Sequence, residues 1–157
     1  MRRSKLDRID KKILRDLQED GRITNVDLAK RVGISAPPCL RRVRALEENG
    51  YIKSYHAKID HAAMGYTVMI FALVKLNSQA EAVLDKFEAF AKAQPIIREC
   101  HLLAGDVDFF LKIVAKDWDN YQHFHKDVLT KAPGVESVKS SLAIRSGKDE
   151  VGVPIED

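Results

Sequence analysis

The sequence predicts an α+β chain of two units, a winged helix-turn-helix followed by a βαββαβ sandwich, and three observations carry that prediction. Apolar residues recur at helical spacing through three short segments between Leu6 and Leu46. From Thr67 onward the pattern changes to strand-length apolar runs alternating with two helical ones. Charge divides the same way: residues 1–60 hold 15 Lys and Arg against 9 Asp and Glu, or +6, which leaves 11 against 14, or −3, for residues 61–157. A basic unit joined to a mildly acidic one suits contact with a polyanion on one side and a separate task on the other.

Leu6, Ile9, Ile13, Leu14 and Leu17 mark the apolar face of a first helix, which Gly21 ends. Thr24 then stands as an N-cap with Asp27 three residues on to close a capping box, and Leu28, Ala29 and Val32 trace the second helix as far as Gly33. Ser35 caps a third helix with Pro37 in its first turn, and Leu40, Val43 and Leu46 form its buried stripe before Gly50. Cys39 lies toward the buried side, where a packed thiol is favoured over a redox sensor. Tyr51 to Ile59 alternates partly and suits a strand or wing.

Two short helices across a tight turn, with a basic face on the second, form a DNA-reading motif. On the helical wheel Arg41 falls nearly opposite the buried stripe, with Arg44 on one flank and Arg42 on the other. A guanidinium entering the major groove can grip guanine bidentately, and one at the margin can hold a phosphate. The expected DNA-contacting set is Thr24, Asn25 and Ser35 at the helix starts, Pro37 and Pro38, then Arg41, Arg42 and Arg44. Lys53 and Lys58 on the wing either contact phosphate or guard a strand edge.

Residues 61–66 read as a linker between a first domain over 1–60 and a second over 67–157. In the second, strands are expected at Thr67 to Leu76, Ile96 to Ala104, Phe109 to Ala115 and Val135 to Arg145. Helices are expected at Gln79 to Ala93, with Val83, Leu84, Phe87, Phe90 and Ala91 inward, and at Trp118 to Lys131, with Tyr121, Phe124, Val128 and Leu129. With right-handed crossovers this order gives a ferredoxin-like four-stranded antiparallel sheet with both helices on one face. Phe71, Leu73, Val74, Phe109, Phe110 and Leu111 offer more apolar surface than two helices can bury, and a homodimer packed sheet to sheet would cover the rest.

Hydrophobic residues at 45% and charged ones at 31% are the balance of a soluble globular chain. The longest apolar run, Val68 to Val74, falls far short of the ~20 residues that span a bilayer. Asp7, Arg8 and Asp10 interrupt any signal-peptide core, so a cytoplasmic location without membrane contact is expected. Two cysteines make no disulfide scaffold. Five histidines without ligand spacing make no metal site, and no nucleophile elbow, phosphate loop or dinucleotide fingerprint is present. No catalytic residue, metal or cofactor is expected.

The segments IDKKILRDLQEDGRIT, VDLAKRVGIS, PPCLRRVRALEENGYI, ECHLLAGDVDFFLKI and APGVESVKSS, in that order, resemble the Lrp/AsnC feast/famine transcriptional regulators across nearly the whole chain. PCLRRV with RALEENG is most similar to the leucine-responsive branch, whereas the tail RSGKDEVGVPIED resembles other branches. The resemblance implies sheet-built dimers that assemble into tetramers or octamers and control genes of amino-acid metabolism or transport. It also implies a free amino acid bound between dimers as effector. Carried over by position, the effector loop is Ala104, Gly105, Asp106, Val107 and Asp108, with Ser140 and Ser141 as further candidates. Backbone N–H groups of a glycine turn suit a carboxylate and Asp106 or Asp108 an ammonium, although Gly-Asp is also an ordinary hairpin turn. Alanine, lysine, a branched-chain or a sulfur amino acid all remain open as effector. Two alternatives share the architecture: a nucleoid-type architectural protein, and an enzyme resembling the sirohaem decarboxylases.

Overall fold

The computed structural model describes residues 5–156; the outermost ends of the two expected domains, residues 1–4 and 157, lie outside the described residues. The chain forms two compact units. One contains the described residues up to Lys58 together with those from Lys148 onward, the other Ile59–Gly147. The second unit is therefore an insertion in the chain of the first, and the tail, expected in the second domain, packs with the first unit.

In the first unit three helices, α1 (Arg8–Glu19), α2 (Asn25–Val32) and α3 (Ala36–Glu48), meet over a core of Ile13, Leu28, Ala29, Val32, Cys39 and Leu46. α1 begins with a capping box that the apolar pattern did not reveal. Asp7 accepts from the Asp10 N–H at 2.8 Å, and Asp10 accepts from the Asp7 N–H at 3.2 Å. Cys39 is fully buried, and burial pushes its thiol pKa up. The segment Tyr51 to Ile59, expected as a strand or wing, carries no strand ladder. Among the described residues the first unit has no strand to pair with it, and its first two N–H groups, of Tyr51 and Ile52, bond the Leu46 carbonyl at the end of α3 instead.

The tail is bound to α1 by backbone groups. Gln18 donates its Nε2 to the Val153 carbonyl and accepts the Val153 N–H at Oε1, both at 3.0 Å, so one side-chain amide imitates a strand pairing. Arg15 Nη2 donates to the Ile155 carbonyl at 2.9 Å. Gly152 sits at φ +83°, a backbone conformation that favours glycine, and a Cβ there would displace the Gln18 amide from its bonds to Val153.

In the second unit β1 (Val68–Leu76), β2 (Ile97–Leu102), β3 (Phe109–Ala115) and β4 (Val135–Leu142) pair antiparallel in the order β2-β3-β1-β4. This is the ferredoxin-like order expected. α4 (Glu81–Ala93) and α5 (Trp118–Asp127), the latter followed by a 3-10 turn at Leu129–Lys131, cover one face. There Ile70, Ala72, Val74, Phe109, Leu111, Ile113 and Ala115 pack with Phe87, Ala91, Tyr121 and Phe124. Period-2 alternation sends Phe71, Leu73, Phe110 and Lys112 to the other face. Val74, Phe109 and Leu111, expected to help crowd that face, belong to the helix-covered core instead. Phe71 and Phe110 stack on the open face with ring centroids 5.4 Å apart.

Candidate nucleic-acid interface and ligand loop

The turn between α2 and α3 is built by residues at the helix starts. Thr24 Oγ1 accepts the Asp27 N–H at 3.1 Å and donates to Asp27 Oδ2 at 2.6 Å, so the carboxylate takes the hydroxyl and only half of the expected capping box forms. Gly33 adopts φ 80° and donates to the Ala29 carbonyl at 3.0 Å, a left-handed cap that sets the angle of α3. Asn25 Nδ2 bonds the Ala36 carbonyl at 2.8 Å, pinning the start of α2 to that of α3, while its buried Oδ1 has no partner among the described residues. Thr24 and Asn25 thus hold the motif's shape.

Ser35 is the N-cap of α3, yet its side chain makes no capping bond. Pro37 is exposed and Pro38 half-buried in the first turn. A helix start normally offers four unpaired N–H groups, and the two prolines remove two of them. The start of α3 is consequently a poor phosphate cradle.

The stripe of α3 is set by Cys39, Val43 and Leu46 rather than by Leu40. At about 100° per residue that stripe leaves Leu40 about 90° off axis on one side and Arg42 about 70° off on the other. Leu40 is correspondingly turned outward, 40% exposed, which overturns its expected place in the core. It lines a shallow groove with Pro37, Arg41, Arg44, Ala45 and Glu48. Arg41 and Arg44 are exposed and carry no hydrogen bond or ion pair among the described residues.

Arg42, expected at phosphate, is engaged within the first unit. Its Nη1 lies 2.7 Å from Asp7 Oδ2 and 2.7 Å from Asp10 Oδ1, locking α3 to the start of α1. The Asp10 N–H, and after it the Arg42 guanidinium, hold the Asp7 carboxyl below its usual value against the opposing effect of burial. Arg42→Ala should destabilise the first unit by about 1 kcal/mol at neutral pH, since the pair is half-exposed and screened. A carboxylate with a lowered folded pKa stabilises above its unfolded value and loses that contribution as pH falls through the folded one. The gap between unaltered and variant chains in urea melts should therefore narrow below pH 3.8, the ordinary value for Asp7. A gap that persists well below that pH would show that the ion pair is not its source.

Beyond α3, Tyr55 donates to Glu47 Oε1 at 2.9 Å. Lys53 is exposed. Lys58 is held by Asp149 of the tail, through Oδ2 at 2.8 Å and the carbonyl at 2.6 Å, so it neither reaches freely outward nor guards a strand edge.

In the second unit the loop between β2 and β3 presents Ala104, Gly105 and Asp106 to solvent, with Val107 half-buried. Asp108 differs. It is 4% exposed, and its carboxylate accepts the Leu76 N–H at 2.7 Å and Gln79 Nε2 at 3.0 Å. Its own N–H bonds the Val74 carbonyl, and its carbonyl accepts from the Leu103 N–H. Both carboxylate oxygens are thus engaged in the framework, which leaves Asp106 as the loop's open carboxylate. Ser140 and Ser141 are consecutive on β4 and point to opposite faces. Ser140 bonds the Tyr121 hydroxyl on the helix side, and neither serine sits on the strand that carries the loop. Among the described residues no cluster of three or more His, Cys, Asp or Glu could hold a metal, and no helix is long and apolar enough to cross a membrane.

Missing from the sequence reading were Asp7 and Asp10 as anchors for Arg42, Leu40 as a surface residue, and the Gln18–Gly152 latch. An Asp-x-x-Asp pair just before an apolar helix was the available signal for the first.

Two family models match in series, a winged helix-turn-helix DNA-binding model over residues 6–53 and an Lrp/AsnC ligand binding domain over residues 69–153. The chain is 48% identical over 153 residues to a leucine-responsive regulatory protein of Rhizobium meliloti, covering 98% of each. It is 43% identical to the Bkd operon transcriptional regulator of Pseudomonas aeruginosa, covering 91% of this chain and 94% of that one. Among solved structures, the L-Met complex of a Neisseria meningitidis transcriptional regulator superposes with a TM-score of 0.91 at 33% identity, covering 96% of this chain and 97% of the other. These relatives are regulators, and the enzyme alternative is set aside. Helix-turn-helix and ligand-binding unit together place the chain in the Lrp/AsnC family of transcriptional regulators.

Proposed function

We propose that the chain controls transcription by placing α3 in the major groove of double-stranded DNA, as a homodimer or larger assembly whose binding responds to a free amino acid. The observation that carries this reading is the outer face of α3, where Arg41 and Arg44 are exposed and unneutralised among the described residues. Such guanidiniums can grip guanine O6 and N7 bidentately. With two N–H groups missing from the start of α3, side chains supply the grip. Lys53 adds a phosphate contact, while Arg42 and Lys58 are left to their carboxylates.

The ligand-binding match and the relative solved with L-Met support an amino acid as effector. The loop from Ala104 to Val107 supplies backbone donors for its carboxylate, and Asp106 an acceptor for its ammonium. Control of amino-acid metabolism or transport genes in the cytoplasm follows from such a signal.

The test is binding of the full chain to DNA from upstream of its own gene against random competitor, repeated across amino acids at fixed salt. Competitor-resistant binding altered by one amino acid is expected. Arg41→Ala and Arg44→Ala should each lose ~1–3 kcal/mol of specific binding. An Arg41→Ala chain with unchanged sequence preference would count against base reading, and equal affinity for random DNA would favour an architectural role.

A further inference from the structure

We propose that Leu40 reads DNA sequence directly, by apolar contact with the C5-methyl group of a thymine beside the bases gripped by Arg41 and Arg44. This rests on α3 entering the major groove. A lone exposed leucine is ordinary on a protein surface. Leu40 is distinguished by its place, in the lining of a groove it shares with Pro37, Arg41, Arg44, Ala45 and Glu48, beside the two exposed arginines. The core does not claim it, since Cys39, Val43 and Leu46 close the interior of the first unit without it.

Chemistry then narrows the partner. In the major groove the base edges present hydrogen-bond donors and acceptors and one apolar group, the thymine methyl. A leucine pressed against any other edge would desolvate a polar group without satisfying it. Pro37 to Arg44 spans about 10 Å of helix at 1.5 Å per residue, roughly three base pairs at 3.4 Å each. The thymine therefore lies within two base pairs of the site gripped by Arg44.

The experiment uses the full chain and duplexes it selects from a randomised pool. Each thymine of the selected site is replaced singly by deoxyuridine, which removes the methyl and keeps every hydrogen-bonding group. One thymine in each half-site should matter, its replacement weakening binding about fourfold, the worth of one buried methyl at ~0.8 kcal/mol. Leu40→Ala should bind the thymine site several-fold more weakly and be indifferent to that replacement, while Leu40→Met keeps the sensitivity. All three chains should melt alike, because Leu40 lies outside the core. Losses that simply add between Leu40→Ala and deoxyuridine, or a site insensitive to every replacement, overturn the assignment while leaving the regulator reading intact. A pool that yields no enriched sequence removes the regulator reading, and this inference with it.

Discussion

Phe110→Asp is expected to abolish the proposed sheet-to-sheet dimer, leaving a monomer with its fold retained. Phe110 stacks on Phe71 on the sheet face that no helix covers, and Leu73 lies on the same face. Face-to-face packing with a second copy would seat these rings in the interior of the dimer, about 10 Å from the opposing sheet. The substitution buries one new carboxylate per protomer, and an unpaired buried charge is costly enough to keep the copies apart. Phe110 is no part of the helix-covered core, so the monomer should keep its melting profile. Sedimentation measures the outcome, and a variant that remains dimeric would move the interface elsewhere.

Asp108→Ala should destabilise the second unit by about 3 kcal/mol. The loss combines two hydrogen bonds to a charged acceptor with the penalty for a Leu76 N–H left buried and unpaired. Asp108→Asn, which keeps one acceptor, should fall between. Calorimetry on both variants checks the order, and a loss under 1 kcal/mol for alanine would return Asp108 to the ligand loop as an open carboxylate. Asp106→Ala should instead leave stability alone and weaken amino-acid binding, because Asp106 is exposed.

Much of the architecture was legible because period and punctuation agreed. β3 runs from Phe109 to Ala115, the bounds its apolar residues around Lys112 implied, and Gly33 ends α2 through a left-handed cap. Several of the differences share one cause, side chains whose partners are distant in sequence. A wheel cannot decide between Cys39 and Leu40, which are 100° apart, until α1 and α2 occupy one side. Arg42 looked like its neighbours because its carboxylates lie 32 and 35 residues away. Tyr51 to Ile59 alternates enough to suggest a strand, yet alternation cannot supply a pairing partner. Ser140 and Ser141 looked like a pair in sequence, but a strand sends neighbours to opposite faces. The tail, rich in glycine and charge, gave no periodicity, and its order comes from Gln18 and Arg15, more than a hundred residues away.

That tail also sets an order of events during synthesis. Arg15, Gln18 and Lys58 emerge from the ribosome with the first unit, but the backbone they hold follows the entire inserted unit. Until then the three-helix head stands without its latch, and joining the ends closes a loop that contains the second unit, an entropic cost that grows only slowly with loop length. A chain interrupted between Lys58 and Lys148 would keep the helices and the arginine face while lacking Val153 and Asp149, so the DNA-reading head acquires its finished form only when translation has passed through the ligand-binding unit.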